Sequence, residues 1–153
     1  LGAILIEGKE ADDALATAAC TLGHGIATID KDLWGVPGWH YNWGKKEFSM
    51  VSPEAADRVF YTQLLKGDSS DNIPGLYQRL GKKCTAKVVE PLDYIETPAE
   101  MYAYVKEVYS EAYDSVGICP DDKDAVIADW LNRQGKQLWM QLHEGDEWNA
   151  PQS

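Results

Sequence analysis

The sequence predicts an α/β fold: a short parallel sheet followed by helices. It rests on three observations: a strand–helix–strand order at the N-terminal end, an aromatic hairpin pattern over residues 39–51, and helical periodicity through most of the remainder. Ala3-Ile4-Leu5-Ile6 is a short apolar run with the pattern of a buried strand. The Ala- and Leu-rich stretch Glu10–Ala19 follows, its acidic residues in the first turn where a helix N-terminus favours them, and Gly23 and Gly25 stop it. Ile26-Ala27-Thr28-Ile29 then predicts a second strand, so the first two strands should pair in parallel through a right-handed crossover. Trp39–Trp43 and Glu47–Val51, flanking Gly44-Lys45-Lys46, predict an antiparallel hairpin. Ser52-Pro53 supplies a cap and a proline at the first helical position, so a helix should run from Pro53 to Lys66 and close at Gly67. A short helix is expected from Thr85 to Glu90, stopped by Pro91. Thr97-Pro98-Ala99-Glu100 is a capping box, with Met101, Val105, Val108 and Ala112 at helical spacing behind it. The last helix should span Asp122–Leu142, with Ile127, Trp130, Leu131, Leu138 and Leu142 on one side and Gly135 weakening its middle. The tail Asn149–Ser153 is expected to fray. These elements divide the chain into 1–52, the α/β part; 53–96, a helical region that carries a local cluster of basic residues; and 97–153, the C-terminal helices.

Composition narrows the class. A chain of 153 residues, 44% hydrophobic, can close one real core. No stretch approaches the ~20 apolar residues that span a bilayer, and the N-terminus lacks a signal-peptide pattern, so an intracellular protein without a membrane partner is expected. Cys20, Cys84 and Cys119 are odd in number and far apart, which predicts reduced thiols rather than a disulfide framework or a zinc site. His24, His40 and His143 are equally scattered. The formal net charge of −11 runs against nucleic-acid binding, but its distribution matters more than its total. Seven carboxylates fall in three short clusters, while Arg79, Lys82, Lys83 and Lys87 form a local basic patch.

The clusters are Glu10, Asp12 and Asp13 after the first predicted strand, Asp30 and Asp32 after the second, and Asp68 and Asp71 after the helix that ends at Lys66. In open parallel sheets, ligands gather outside the carboxyl ends of strands. Asp30 and Asp32, two apart in an extended segment, should point the same way, and Asp68 and Asp71, three apart, should share a face of a helical turn. Carboxylates crowded in this way need a counter-charge. Mg²⁺ or Mn²⁺ takes oxygen ligands, and two such ions ~3.5–4 Å apart support in-line phosphoryl displacement. Taken singly, each Asp pair has an equally good reading as a cap or turn former. An EF-hand reading fails because Asp68–Asp71 lacks the loop's ligand pattern and closing Glu.

In sequence order, Glu10-Ala11-Asp12-Asp13, Thr28-Ile29-Asp30-Lys31-Asp32 and Gly67-Asp68-Ser69-Ser70-Asp71-Asn72-Ile73-Pro74-Gly75 resemble the three C-terminal acidic motifs of the flap endonuclease and 5′-nuclease family, bacteriophage 5′–3′ exonucleases above all. The resemblance covers roughly Gly8–Pro91, and its nine-residue third motif is the most specific. It implies a PIN-like core and two bound Mg²⁺ or Mn²⁺ ions. Glu10, Asp12 and Asp13 would help form the first metal site, Asp30 would lie between the sites, and Asp32, Asp68 and Asp71 would form the second. It further implies a helix-three-turn-helix element that grips the DNA duplex backbone and often binds K⁺. In that element Gly75 and Gly81 would let backbone approach phosphates, a helix N-terminus would add its dipole, and Arg79, Lys82, Lys83 and Lys87 would make sequence-independent contacts. Here Leu76-Tyr77-Gln78-Arg79-Leu80 replaces the family's glycine-rich turn, a departure that weighs against the K⁺ site.

Family members carry, ahead of the segment matching Leu1, a strand with an essential Asp, a further Asp and a basic helical arch. The chain is therefore expected to start in mid-domain, with a further polypeptide segment or partner supplying the rest. The function implied is structure-specific hydrolysis of DNA phosphodiesters at 5′ ends or flaps, in phage replication or primer removal. The alternative is a non-catalytic DNA-binding or regulatory module that keeps the nuclease scaffold. Trp34, Trp39 and Trp43 could stack on unpaired bases, although aromatic residues around a hairpin more often pack inward.

Overall fold

The computed structural model describes residues 3–151 and is mixed α/β, dominated by helix. Its packing separates two units: the chain up to Ala56 together with Met140–Glu147, and Asp57–Trp139 together with the chain from Trp148 onward.

In the first unit, α1 (Ala11–Leu22) carries Asp12 and Asp13 in its first turn and ends at Gly23, whose φ of 67° suits glycine. Strand β1 (Ile26–Ala27) is shorter than the predicted 26–29 and pairs in parallel with β2 (Gly38–Asn42), Ile26 opposite His40. Strand β3 (Glu47–Val51) returns antiparallel, with Trp39 opposite Met50 and Tyr41 opposite Phe48, so the expected hairpin is present. The parallel pair predicted between residues 3–6 and β1 is not. Residues 3–6 form no strand, and Ile4 and Leu5 are more than four-fifths exposed. An apolar run becomes a strand only when another strand takes its backbone groups. The sheet's parallel step joins β1 to β2 instead, through a 3₁₀ turn at Asp32–Gly35.

Helix α2 (Pro53–Lys66) has the predicted limits, opened by Ser52 Oγ accepting from the Ala55 amide. It carries the chain into the second unit at Asp57. There β4 (Gly67–Asp68) and β5 (Ile73–Pro74) form a two-residue antiparallel hairpin, followed by α3 (Leu76–Leu80) and α4 (Ala86–Val89). Helix α5 (Pro98–Ser115) starts from the predicted capping box: Thr97 Oγ1 accepts from the Glu100 amide and donates to the Glu100 carboxylate. Helix α6 (Lys123–Leu138) stops short of the predicted Leu142. Met140 and Leu142 instead pack in the first unit, where the Gln141 amide donates to Asp13 and its carbonyl accepts from Thr17. Apolar spacing continued past Leu138, but those side chains serve a different core. Gly135 does not interrupt α6, and the Trp148 ring lies where its side chain would stand. Of the tail expected to fray, Asn149 is exposed but Ala150 packs against the second unit's core, which also buries the preceding Trp148; Gln152 and Ser153 lie outside the described residues.

The second unit's core joins α2, α3, α5 and α6 through residues such as Tyr61, Leu65, Tyr109 and Leu131. The first unit closes around Ala16, Ala19, Ile26, Leu33 and Val36. No helix among the described residues is long and apolar enough to cross a membrane.

Candidate functional site

The predicted carboxylates are divided between the units. In the first, Glu10 precedes α1, is exposed and makes no side-chain capping bond. Asp12 and Asp13 stand where the helix dipole favours negative charge. Asp13 also has a structural task, its Oδ1 accepting from the Gln141 amide at 2.9 Å. Asp30 and Asp32 do not lie in an extended segment. The Asp30 amide donates to Thr28 Oγ1, and its Oδ1 accepts from the Asp32 amide at 3.0 Å, opening the 3₁₀ turn that begins at Asp32. A short acceptor side chain competes for local amides in this way and bends the chain before a strand can continue.

In the second unit, Asp68 and Asp71 do not share a helical turn. Asp68 is in β4 and Asp71 in the tip of the β4–β5 hairpin. Asp68 is 8% exposed, and its Oδ1 accepts from the Ser70 amide at 2.7 Å, whereas Asp71 is exposed. Asn72 completes the tip at φ 58°, a left-handed conformation that Asn tolerates better than most residues. Two glycines permit the hairpin. Gly67 has φ 72° and faces the Gly75 amide, and Gly75 is buried against the backbone of Lys66 and Gly67. A side chain at either would meet backbone, which cannot move aside.

Gly75, expected to let backbone approach phosphates, is therefore spent on this internal contact. Arg79 likewise has an internal engagement: its Nη2 donates to the Tyr113 hydroxyl at 3.1 Å, and its guanidinium lies 4.6 Å from the centre of the Trp130 ring. Gly81 caps α3 at φ 70°. Among the described residues, Lys82, Lys83 and Lys87 make no ion pair, so their charge stays available. The dipole contribution expected near them is small, because α4 has only four residues to align.

Among the described residues, no three His, Cys, Asp or Glu side chains group closely enough to hold a metal ion. The donors themselves, all carboxylate oxygens, suit Mg²⁺ or Mn²⁺ rather than a softer ion. Burial pushes the Cys20 and Cys84 thiols above their ordinary pKa, with Lys66 partly opposing the shift at Cys84, so both are protonated near neutrality.

Sequence reasoning passed over one feature. Phe48 and Met50 are exposed on the same sheet face as Trp39, which pairing parity within the predicted hairpin could have shown. Trp34, grouped with Trp39 and Trp43 as a candidate for stacking, is instead half-buried against the His40 ring. Neither a protein-family model, nor a curated protein, nor a solved structure matches this chain.

Proposed function

We propose that the chain is part of a metal-dependent 5′-nuclease that hydrolyses DNA phosphodiesters at flaps or 5′ ends. The observation that carries this reading is the Gly67–Gly75 segment. Its two glycines and Asn72 hold a tight hairpin that buries Asp68 and presents Asp71. A carboxylate is costly to bury, and a plain surface turn would have no need to do so. The same nine residues carry the most specific resemblance to the 5′-nuclease family.

Asp68 and Asp71 would hold one Mg²⁺ or Mn²⁺, and Glu10, Asp12 and Asp13 would supply carboxylates for another. When bound, such ions would lower the pKa of a water nucleophile and neutralise the departing oxygen. The chain's own residues have separate tasks. The hairpin glycines permit the tight turn at whose tip Asp71 is exposed, the Asp68 bond to the Ser70 amide holds its carboxylate, and Lys82, Lys83 and Lys87 would attract the phosphate backbone without reading sequence. The PIN-like core and the helix-three-turn-helix grip belong to this proposal, as does a partner segment supplying the basic arch.

A second reading, a DNA-binding module that does not cut, draws on Asp13 and Asp30, whose carboxylates already accept backbone amides. A labelled 5′-flap duplex with Mg²⁺ separates the two. The nuclease reading expects a cut, from the chain alone or with an N-terminal complement. It expects Asp71→Asn to reduce the rate at least a hundredfold while sparing duplex binding. Equal rates in the variant would refute the assignment, and binding without a cut in any combination would favour the second reading.

A further inference from the structure

The β2–β3 hairpin has its polar and apolar faces reversed. One face, carrying His40 opposite Ser49 and Gly38 opposite Val51, is turned inward, with His40 only 2% exposed. The other carries Trp39 opposite Met50 and Tyr41 opposite Phe48, and is turned to solvent: Trp39 is 56% exposed, Met50 55% and Phe48 75%. Antiparallel hairpins ordinarily do the opposite, putting aromatic residues in the core and polar residues in water. Folding energetics give no reason to hold Trp, Tyr, Phe and Met outward together, and a contiguous apolar patch of this kind marks a binding surface.

The chemistry of the occupant follows from what surrounds the patch. Tyr41 and Phe48 have ring centres 4.6 Å apart, and Trp39 and Tyr41 are two positions apart on one strand, roughly 6.6 Å. This makes a row of flat rings rather than a pocket. At the turn joining the strands stand Lys45 and Lys46, which make no ion pair among the described residues. The neighbouring carboxylate, Glu47, lies opposite Asn42 on the other face. Flat rings in a row ending in two available cations match unpaired nucleotides, whose bases stack while their phosphates meet the lysines.

We propose that this face binds single-stranded nucleic acid by base stacking on Trp39, Tyr41 and Phe48, with Lys45 and Lys46 contacting the backbone. The choice of nucleic acid over a protein ligand rests on the nuclease reading above, and the test is arranged so that the two can fail separately. Single-stranded oligothymidylate is titrated into the full chain in EDTA, where nothing is cut, and tryptophan emission is followed. Saturable quenching is expected, with affinity falling about tenfold in Phe48→Ala and largely kept in Phe48→Tyr. Lys45→Gln with Lys46→Gln should lower the dependence of log affinity on log salt by roughly 1.4. In the unaltered chain, oligothymidylate should shield the emission from acrylamide, which keeps the test decisive if Phe48→Ala disturbs the hairpin. No quenching by oligothymidylate, or equal affinity in a folded Phe48→Ala, overturns the proposal. So does sedimentation showing that Phe48→Ala dissolves a self-association while oligothymidylate binds nowhere, which would assign the face to a second copy of the chain. Quenching without any Mg²⁺-dependent cut would leave this inference standing and count against the nuclease reading; a cut without quenching would do the reverse.

Discussion

The second unit buries rings and branched side chains, Tyr61, Tyr109, Leu65 and Leu131 among them, whereas the first closes around two alanines with Ile26, Leu33 and Val36 and leaves Trp39, Phe48 and Met50 in water. Long amphipathic helices account for the first half of this contrast. Met101, Val105, Tyr109 and Ala112 on α5 and Ile127 and Leu131 on α6 line up on core-facing stripes, so a continuous core follows from local periodicity. The other unit has one helix, α1, whose buried side chains are alanines, together with a two-residue strand, a 3₁₀ turn and a short hairpin, which offer little surface to bury. The larger core thus lies in the second unit, while candidate chemistry is spread over both.

Substitution in the larger core should show the contrast most strongly. Leu131 is fully buried, and Leu131→Ala should cost about 4 kcal/mol in denaturant unfolding, against about 2 kcal/mol for Leu33→Ala in the smaller core, which can collapse further around the gap. Equal losses would mean that the two cores are equally tight.

Gly75→Ala sharpens the comparison within the second unit. A methyl group there meets the backbone of Lys66, so a loss of about 3 kcal/mol is expected, and the hairpin that holds Asp68 and Asp71 should be displaced with it. A neutral result would show that the hairpin is not held by this contact.

The smallest effect is a pH dependence. Burial pushes the Tyr109 hydroxyl, which donates to the Leu64 carbonyl at 3.0 Å, well above its ordinary pKa. Below about pH 10 the group is protonated in both folded and unfolded chains and stability is unaffected. Above it only the unfolded chain ionises, so stability should fall by about 1.4 kcal/mol per pH unit from this group. Tyr109→Phe should flatten that decline in thermal melts between pH 9 and pH 11.

Much of the fold was legible because its signals are local. The limits of α2 were set by Ser52-Pro53 and Gly67, and the start of α5 by Thr97 and Glu100. The hairpin at 38–51 followed from its aromatic strands. What could not be read depended on partners distant in sequence. Residues 3–6 have strand composition but form no strand, and Leu142 has helical spacing but packs beyond the helix. Among the candidate carboxylates, local geometry was not legible in the sequence. A local amide draws the Asp30 side chain into a turn, and a hairpin closed by Gly67 and Gly75, rather than a helical turn, sets Asp68 and Asp71 apart in exposure.

The most direct test is whether the Gly67–Gly75 hairpin holds a divalent ion. Fe²⁺ substituted for Mg²⁺ generates hydroxyl radicals in the presence of ascorbate and peroxide, and these cut the polypeptide near the bound ion. The account predicts fragments ending within or beside residues 67–75, suppressed by excess Mg²⁺ and absent in Asp71→Asn. Cutting elsewhere only, or cutting at the hairpin that Asp71→Asn leaves unchanged, would contradict it.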